Sequence, residues 1–258
     1  MYSRQRQRLI VEHVEEHSGA SVADLAARFE VSHETIRRDL AALEDVGRIE
    51  RTHGGAMPAA THAEQSLEAR LLDHLDAKRA IARIAGDLLP EPGGSMILDA
   101  GSSTAQLLAH MPPSTLSGPG ALDIYTDSAP IAAELARLQA AKVGVFGGTV
   151  RGITGAIVGS GVVDSLRRLR VDVAFIGANG LHPERGLTTP DSAEAAVKSA
   201  LVSAARTVVL LADSSKFGRD HVVEFAASED IDILVTDSQP RGALARSLDS
   251  ANVEVLVP

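Results

Sequence analysis

The chain has 258 residues, only 3% of them aromatic, no tryptophan, no cysteine and a formal net charge of −9 at pH 7. That length accommodates a small and a medium domain with separate cores, built here from Ala, Val, Leu and Ile. The lack of cysteine excludes a disulfide framework, a thiolate metal site and a cysteine nucleophile. The nine histidines are scattered without metal-site spacing, and no apolar run approaches the roughly 18 residues of a membrane span. The N-terminus, MYSRQRQRLIVEHVEEH, reads as an amphipathic helix rather than a secretory signal, because acids interrupt any apolar core. A cytoplasmic protein with no cofactor and no metal is expected.

Residues 3–17 form the first predicted helix, with Leu9, Ile10, His13 and Val14 along one side. Ser21 opens a second, SVADLAARFE, in which Ser21 and Asp24 have capping-box spacing and Val22, Leu25, Ala26 and Phe29 supply the buried stripe. Ser32 caps a third, with Ile36, Leu40 and Leu43 facing inward and Val31 and Ile36 placed for a hydrophobic staple. Gly47 ends it. Away from the apolar stripe point Glu34, Arg37, Arg38, Ala41 and Asp45. Paired arginines there suit phosphates and guanine edges, both of which accept bidentate hydrogen bonds.

Helix, helix, three-residue turn, helix is a helix-turn-helix. The following Arg48–Thr52, His53-Gly54-Gly55 and Ala56-Met57 make a hairpin wing whose tip carries Arg51 and His53. Residues 1–57 are therefore read as a winged helix-turn-helix domain. Its candidate DNA contacts are Ser32, His33, Thr35, Arg37, Arg38, Arg51, His53 and Gly54. The charge balance is unusual for that role: 1–57 holds eight arginines and no lysine against ten acids. The reading rests on placement, with Arg4, Arg6 and Arg8 on the first helix, Arg37 and Arg38 on the third and Arg51 on the wing. Weak non-specific binding and reliance on the correct operator and on dimerisation follow.

Residues 58–75 are expected to be a linker (PAATHAEQ) and the start of a connecting helix that runs through 66–89 to the stop at Pro90-Glu91-Pro92-Gly93-Gly94. In 76–258 apolar runs at 95–98, 123–126, 141–146, 171–176, 207–212, 231–236 and 253–257 alternate with predicted helices near 103–110, 129–139, 160–169, 192–205, 221–227 and 239–248. This pattern indicates an α/β domain with a mainly parallel sheet covered on both faces. Ser114–Ala121 reads as a flexible surface loop.

Ligands of such sheets sit at the carboxyl ends of the strands. Those ends carry Asp99, Gly101, Ser102, Ser103 and Thr104; Thr126 and Asp127; Gly148 and Arg151; Asn179; and Asp213 and Lys216. Small and hydroxylated residues opening a helix make a phosphate cradle. The five ends together describe a donor-rich pocket, with Lys216 and Arg151 to balance an anionic, polyhydroxylated ligand.

The N-terminal region closely resembles the DNA-binding domain of the DeoR family of bacterial transcriptional regulators, through Arg8, Ile10, Leu25, Ala26, Phe29, Val31, Ser32, TIRRDL at 35–40, Leu43, Gly47, Arg51 and HGGA at 53–56. The rest resembles the family's effector domain, itself similar to ribose-5-phosphate isomerase, through DAGSST at 99–104, Gly147-Gly148 with Arg151, Asp172, Gly177, Asn179-Gly180, Gly186, Glu194, Lys198 and ADSSKFG at 212–218. The resemblance implies a homodimeric or homotetrameric repressor of a sugar or polyol catabolic operon, binding double-stranded operator DNA and a phosphorylated sugar effector. It implies phosphate at Ser102, Ser103 and Thr104, and sugar contacts or bracing by Asp99, Asp213 and Lys216, with Arg151 and Asn179 contributing. Asp127 departs from the asparagine of many relatives; as a carboxylate it would disfavour a nearby anion. The rival reading is a sugar-phosphate isomerase fused to a DNA-binding domain. Related isomerases place two aspartates where Gly177 and Asn179 stand here, and Glu194 reads either as an isomerase glutamate or as a surface acid.

Overall fold

The computed structural model describes residues 3–16, 19–46, 48–52, 54–58 and 64–258. Gly47, His53, residues 59–63 of the expected linker and the side chain of Arg4 lie outside the described residues. The chain divides into two compact units, 1–73 and 74–258.

In the first unit α1 (Ser3–Glu16), a two-residue β1 (Ala20–Ser21), α2 (Val22–Phe29) and α3 (His33–Asp45) precede a hairpin of β2 (Ile49–Thr52) and β3 (Gly55–Pro58). Ser21 and Ser32 accept from the Asp24 and Thr35 amides at 3.1 and 3.2 Å, satisfying first-turn donors that helices leave unpaired. Strand order is β1-β3-β2, so the wing is anchored by a third strand. The anchoring demands glycine at 55, where a Cβ would lie 2.0 Å from the Ala20 carbonyl oxygen. Ile10, Val11, Val14, Leu25, Ile36, Leu40, Leu43 and Ile49 form the core. Across it runs a buried ion pair, Arg6 Nε to Asp39 Oδ2 at 2.5 Å, with Ser3 and Gln7 also donating to Asp39 Oδ1. The unit closes with α4 (Leu67–Leu72), whose C-terminal Asp73 takes a hydrogen bond from Arg48 at 3.1 Å.

The second unit opens with α5 (Leu75–Ala85) and then alternates: β4 (Ser95–Leu98), α6 (Ser102–His110), α7 (Pro113–Leu116), β5 (Asp123–Thr126), α8 (Ala129–Arg137), β6 (Val143–Val145), a hairpin of β7 (Thr149–Val150) and β8 (Ile157–Val158), α9 (Ser160–Leu166) and β9 (Val171–Ile176). There follow β10 (Gly180–His182), β11 (Gly186–Thr189), α10 (Ser192–Ser203), β12 (Ala205–Leu211), β13 (Val223–Ala226), β14 (Ile233–Val235), α11 (Gly242–Ser250) and β15 (Glu254–Leu256). Seven strands form one parallel sheet in the order β15-β14-β12-β9-β4-β5-β6. Separate apolar clusters cover its two faces, as continuous apolar strands require.

Four expectations are corrected. The helix expected at 221–227 is β13, which pairs antiparallel with β11 and buries Phe225 and Ala226; that distant pairing decides a short apolar run that suits either conformation. The single helix expected over 66–89 is broken. Asp73 is extended and His74 takes a left-handed conformation (φ 47°), so α4 ends where the first unit ends and α5 starts the second. Within 114–121, expected to be a flexible loop, the first residues belong to α7 and Leu116 is buried. Glu194 is no surface acid, being 4% exposed.

Arg6 is buried, at 8% exposure, so Asp39→Ala removes a buried partner of its charge. The substitution should destabilise the first unit by about 3–5 kcal/mol, seen as faster amide hydrogen exchange in α1 and α3 with protection of the second unit unchanged.

Candidate effector site and DNA-binding face

The sheet order reverses beside β4: the chain lays β5 and β6 on one side, then crosses to β9 on the other. The crevice at the carboxyl ends of β4 and β9 is the switch point at which such sheets bind ligands. Asp99, the first residue beyond β4, spans it. Its Oδ2 accepts from the Gly177 amide beyond β9 at 2.8 Å and from Lys198 Nζ of α10. Lys198 also donates to the Gly177 carbonyl at 2.9 Å and stands over the Phe225 ring, 5.5 Å from its centroid. Both charges are buried, at 0% and 4% exposure. Asp99 Oδ1 is buried with no hydrogen-bond partner.

Beyond β5, Asp127 Oδ1 accepts from the Ala100 amide at 2.9 Å. Burial pushes the Asp99 carboxyl up, against the pull of Lys198 and the Gly177 amide. Burial, and then the charge of Asp99, push Asp127 well above the ordinary carboxylate value. Of the two carboxyls, Asp127 is pushed further up and so pressed harder towards its neutral form.

One turn before Lys198 on α10, Glu194 accepts from Arg151 Nη1 and from Thr154 Oγ1, both at 2.5 Å. Arg151 also meets Asp191 at 3.2 Å. These contacts staple the β7–β8 hairpin to the start of α10. Gly148 serves the same packing, since a Cβ there would come within 2.5 Å of the Val158 carbonyl oxygen.

Beyond β12, Asp213 Oδ1 accepts from the amide and hydroxyl of Ser215, while its buried Oδ2 has no partner. Burial raises this carboxyl, but Lys216, Ser215, Lys78 and His74 together outweigh it, and the net value lies below the ordinary one. Lys78, on α5 and only 2% exposed, was missed by sequence reasoning. Its signal is its line with Ile81, Ala82 and Ala85 on the buried helix face.

Other expected residues are committed locally. Thr104 donates to the Asp99 and Gly101 carbonyls (2.6 and 2.9 Å), Thr126 to the Leu98 carbonyl (2.7 Å), and Asn179 Oδ1 accepts from Thr189 (3.1 Å). His221, also missed, hydrogen-bonds the Asn179 main chain; burial and the nearby Arg219 and Lys216 hold its pKa down. Ser102 and Ser103 are buried at the start of α6, where no side chain caps the helix and Gly101 leads in. Helix starts of this kind can receive anions in general.

In the first unit His33, Arg37 and Arg38 are exposed on α3, and Gly54 is exposed on the wing. Ser32 and Thr35 are occupied at the cap, their hydroxyls 2.9 Å apart. Arg51 leans back on Glu44, through its amide at 3.1 Å and its guanidinium at 3.4 Å. Among the described residues no group of acids and histidines is arranged to hold a metal ion, and no helix is long and apolar enough to cross a membrane.

An exposed recognition helix with a wing, followed by an α/β unit with a charged switch-point crevice, defines a DNA-binding protein with a ligand-sensing domain. The DeoR-like helix-turn-helix model matches residues 6–61 and the DeoR C-terminal sensor domain model matches 73–238. The chain belongs to the DeoR family.

It is 39% identical to the HTH-type transcriptional regulator GlpR of Haloferax volcanii (99% of this chain, 98% of the relative). To the HTH-type transcriptional repressor GlcR of Bacillus subtilis it is 31% identical (100% and 97%), and to the glycerol-3-phosphate regulon repressor of Escherichia coli 29% (99% of each). Among solved structures it is similar to a probable sor operon regulator from Shigella flexneri (14% identity, 68% and 89% covered, TM-score 0.44) and to ribose 5-phosphate isomerase A from Methanocaldococcus jannaschii (19%, 56% and 55%, TM-score 0.41). Neither likeness speaks to activity.

Asp127 provides a pH test. Its folded value is above the ordinary 3.8, so its contribution to stability is complete below that value and is lost as pH rises through the raised one. Asp127→Asn cannot ionise. Its melting temperature should gain on the parent's progressively as pH is raised from 5 to about 9; a pH-independent difference would refute the assignment.

Proposed function

We propose that this chain is a sequence-specific transcriptional regulator, a repressor of a sugar or polyol catabolic operon, released by a phosphorylated sugar. The observation carrying the effector half is the pair of buried carboxylate oxygens, Asp99 Oδ1 and Asp213 Oδ2, that lack a donor. A buried acceptor left unpaired costs about 1–3 kcal/mol, and the hydroxyls of a polyol are donors of the right kind. The first turn of α6, with Ser102 and Ser103, takes the phosphate, and Lys216 adds a balancing charge. Family membership and the exposed Arg37 and Arg38 support the DNA half.

In this reading the crevice binds and does not catalyse. Isomerisation needs a base within hydrogen-bond reach of the substrate. Glu194 is taken by Arg151 and Thr154 and Asn179 cannot abstract a proton, while Asp99 Oδ1 and Asp213 Oδ2 serve in this reading as acceptors for sugar hydroxyls. The protein acts in the cytoplasm as a homodimer or homotetramer, matching the two-fold symmetry of operators. Switching requires that the effector-bound form differ in DNA affinity from the free form.

Thermal melting against a panel of sugar phosphates and their unphosphorylated parents tests the effector. One phosphorylated sugar should raise the melting temperature while its parent does not, since a ligand of the folded state alone stabilises by mass action. No shift with any of them removes the sugar-phosphate reading.

Lys216→Ala should lose that shift and keep operator binding. Arg38→Ala should do the reverse, losing at least tenfold in operator affinity by gel shift. Loss of DNA binding by a folded Lys216→Ala variant would sink the division of labour.

A further inference from the structure

The recognition helix carries an acid where DNA should repel one. Glu34 is the second residue of α3, its side chain 72% exposed, and it pairs with Arg37 at 3.9 Å, itself 59% exposed. So loose an exposed pair is worth little; an acid in the first turn also favours the helix dipole, a role that any first-turn acid could fill. At 3.6 residues per turn, Glu34, Arg38 and Ala41 fall within about 60° of arc, with Arg37 on the flank. Ile36, Asp39, Leu40 and Leu43 occupy the opposite, buried side.

Helix-turn-helix proteins bring the first turns of this helix to the base edges. The hydroxyls of Ser32 and Thr35 are held at the cap, so the outward side chains of the first turn are His33 and Glu34. A carboxylate only accepts hydrogen bonds. The major groove offers it two donors, the amino groups of cytosine and adenine; guanine and thymine present acceptors that repel it. Adenine's amine lies beside the N7 acceptor, whereas cytosine's has no neighbouring acceptor on its own edge. The stripe thus pairs an acceptor at Glu34 with donors at Arg38, which suit guanine, while Arg37 on the flank reaches phosphate.

We infer that Glu34 is a specificity-determining residue that reads a cytosine amino group in the major groove, one helical turn from the base read by Arg38. The inference rests on the DNA-binding reading and is independent of the effector.

The test is selection from a library of random duplexes of about 20 base pairs, long enough for two half-sites one helical turn apart. The full-length protein is compared with Glu34→Gln and Glu34→Ala. The parent should enrich a motif with a C·G pair favoured roughly tenfold at one position of each half-site. Glu34→Gln should shift that position towards A·T, because glutamine binds adenine in bidentate fashion. Glu34→Ala should lose the preference there and retain it elsewhere. The same motif from all three proteins overturns the assignment, as does a uniform loss at every position. Failure of the parent to enrich any sequence overturns the DNA-binding reading and this inference with it. The side chain is exposed, so both variants should melt within a few degrees of the parent, the difference being the lost first-turn charge; a larger fall would mark Glu34 as structural instead.

Discussion

A single buried carboxylate organises the sensor unit. Where the sheet reverses, the backbones of β4 and β9 part and the ladder has nothing further to bond. Asp99 closes that gap: its amide donates to the Phe175 carbonyl at 3.1 Å while its side chain receives the Gly177 amide. A charge so deeply placed needs a counter-ion, and Lys198 supplies it from α10. The position of α10 then sets Glu194, which fixes Arg151 and Thr154 and with them the β7–β8 hairpin. Burial and the charge of Asp99 also push the neighbouring Asp127 carboxyl up. Crevice, helix and hairpin are thus one electrostatic assembly.

The same economy explains how an acidic first unit serves DNA. Asp39, in the middle of the recognition helix, points inward and is consumed by Arg6, Ser3 and Gln7. Glu44 is tied to the wing at Arg51. Acids counted against the domain in the sequence are in part its internal fasteners. The sign of the domain's total charge is therefore a poor guide to the field over α3.

Much of this architecture was legible because local rules decide it. Ser21 and Ser32 cap their helices as their positions suggest, and the seven apolar runs correspond to the seven strands of the main sheet, three of them with the same ends. What failed depended on distant partners. HVVEFAA at 221–227 carries no strong period, and only β11 makes it a strand. The break after Asp73 has neither glycine nor proline to announce it, and His74 adopts its left-handed turn without a local signal. In the site, the strand-end census found Asp99, Asp127 and Asp213, but Lys78 lay hidden as a cation within a helix, and Lys198 entered only through the family resemblance. Both share buried helix faces with apolar residues, and a lysine in such a place is informative because burial without a partner is so costly.

The order of strands has a consequence for synthesis. Every contact that completes the first unit is available once residue 73 has been made. The second unit cannot form its central pairing until β9 follows β4, with Ser95 bonding Asp172 across 77 positions of chain, and β12 comes later still. Domains fold largely in the order they emerge, and parallel sheets built from distant segments fold slowly. On the ribosome the operator-reading module therefore matures ahead of the sensor that governs it. A nascent chain passes through a stage in which it holds the reading head before the sensor that accompanies it is complete.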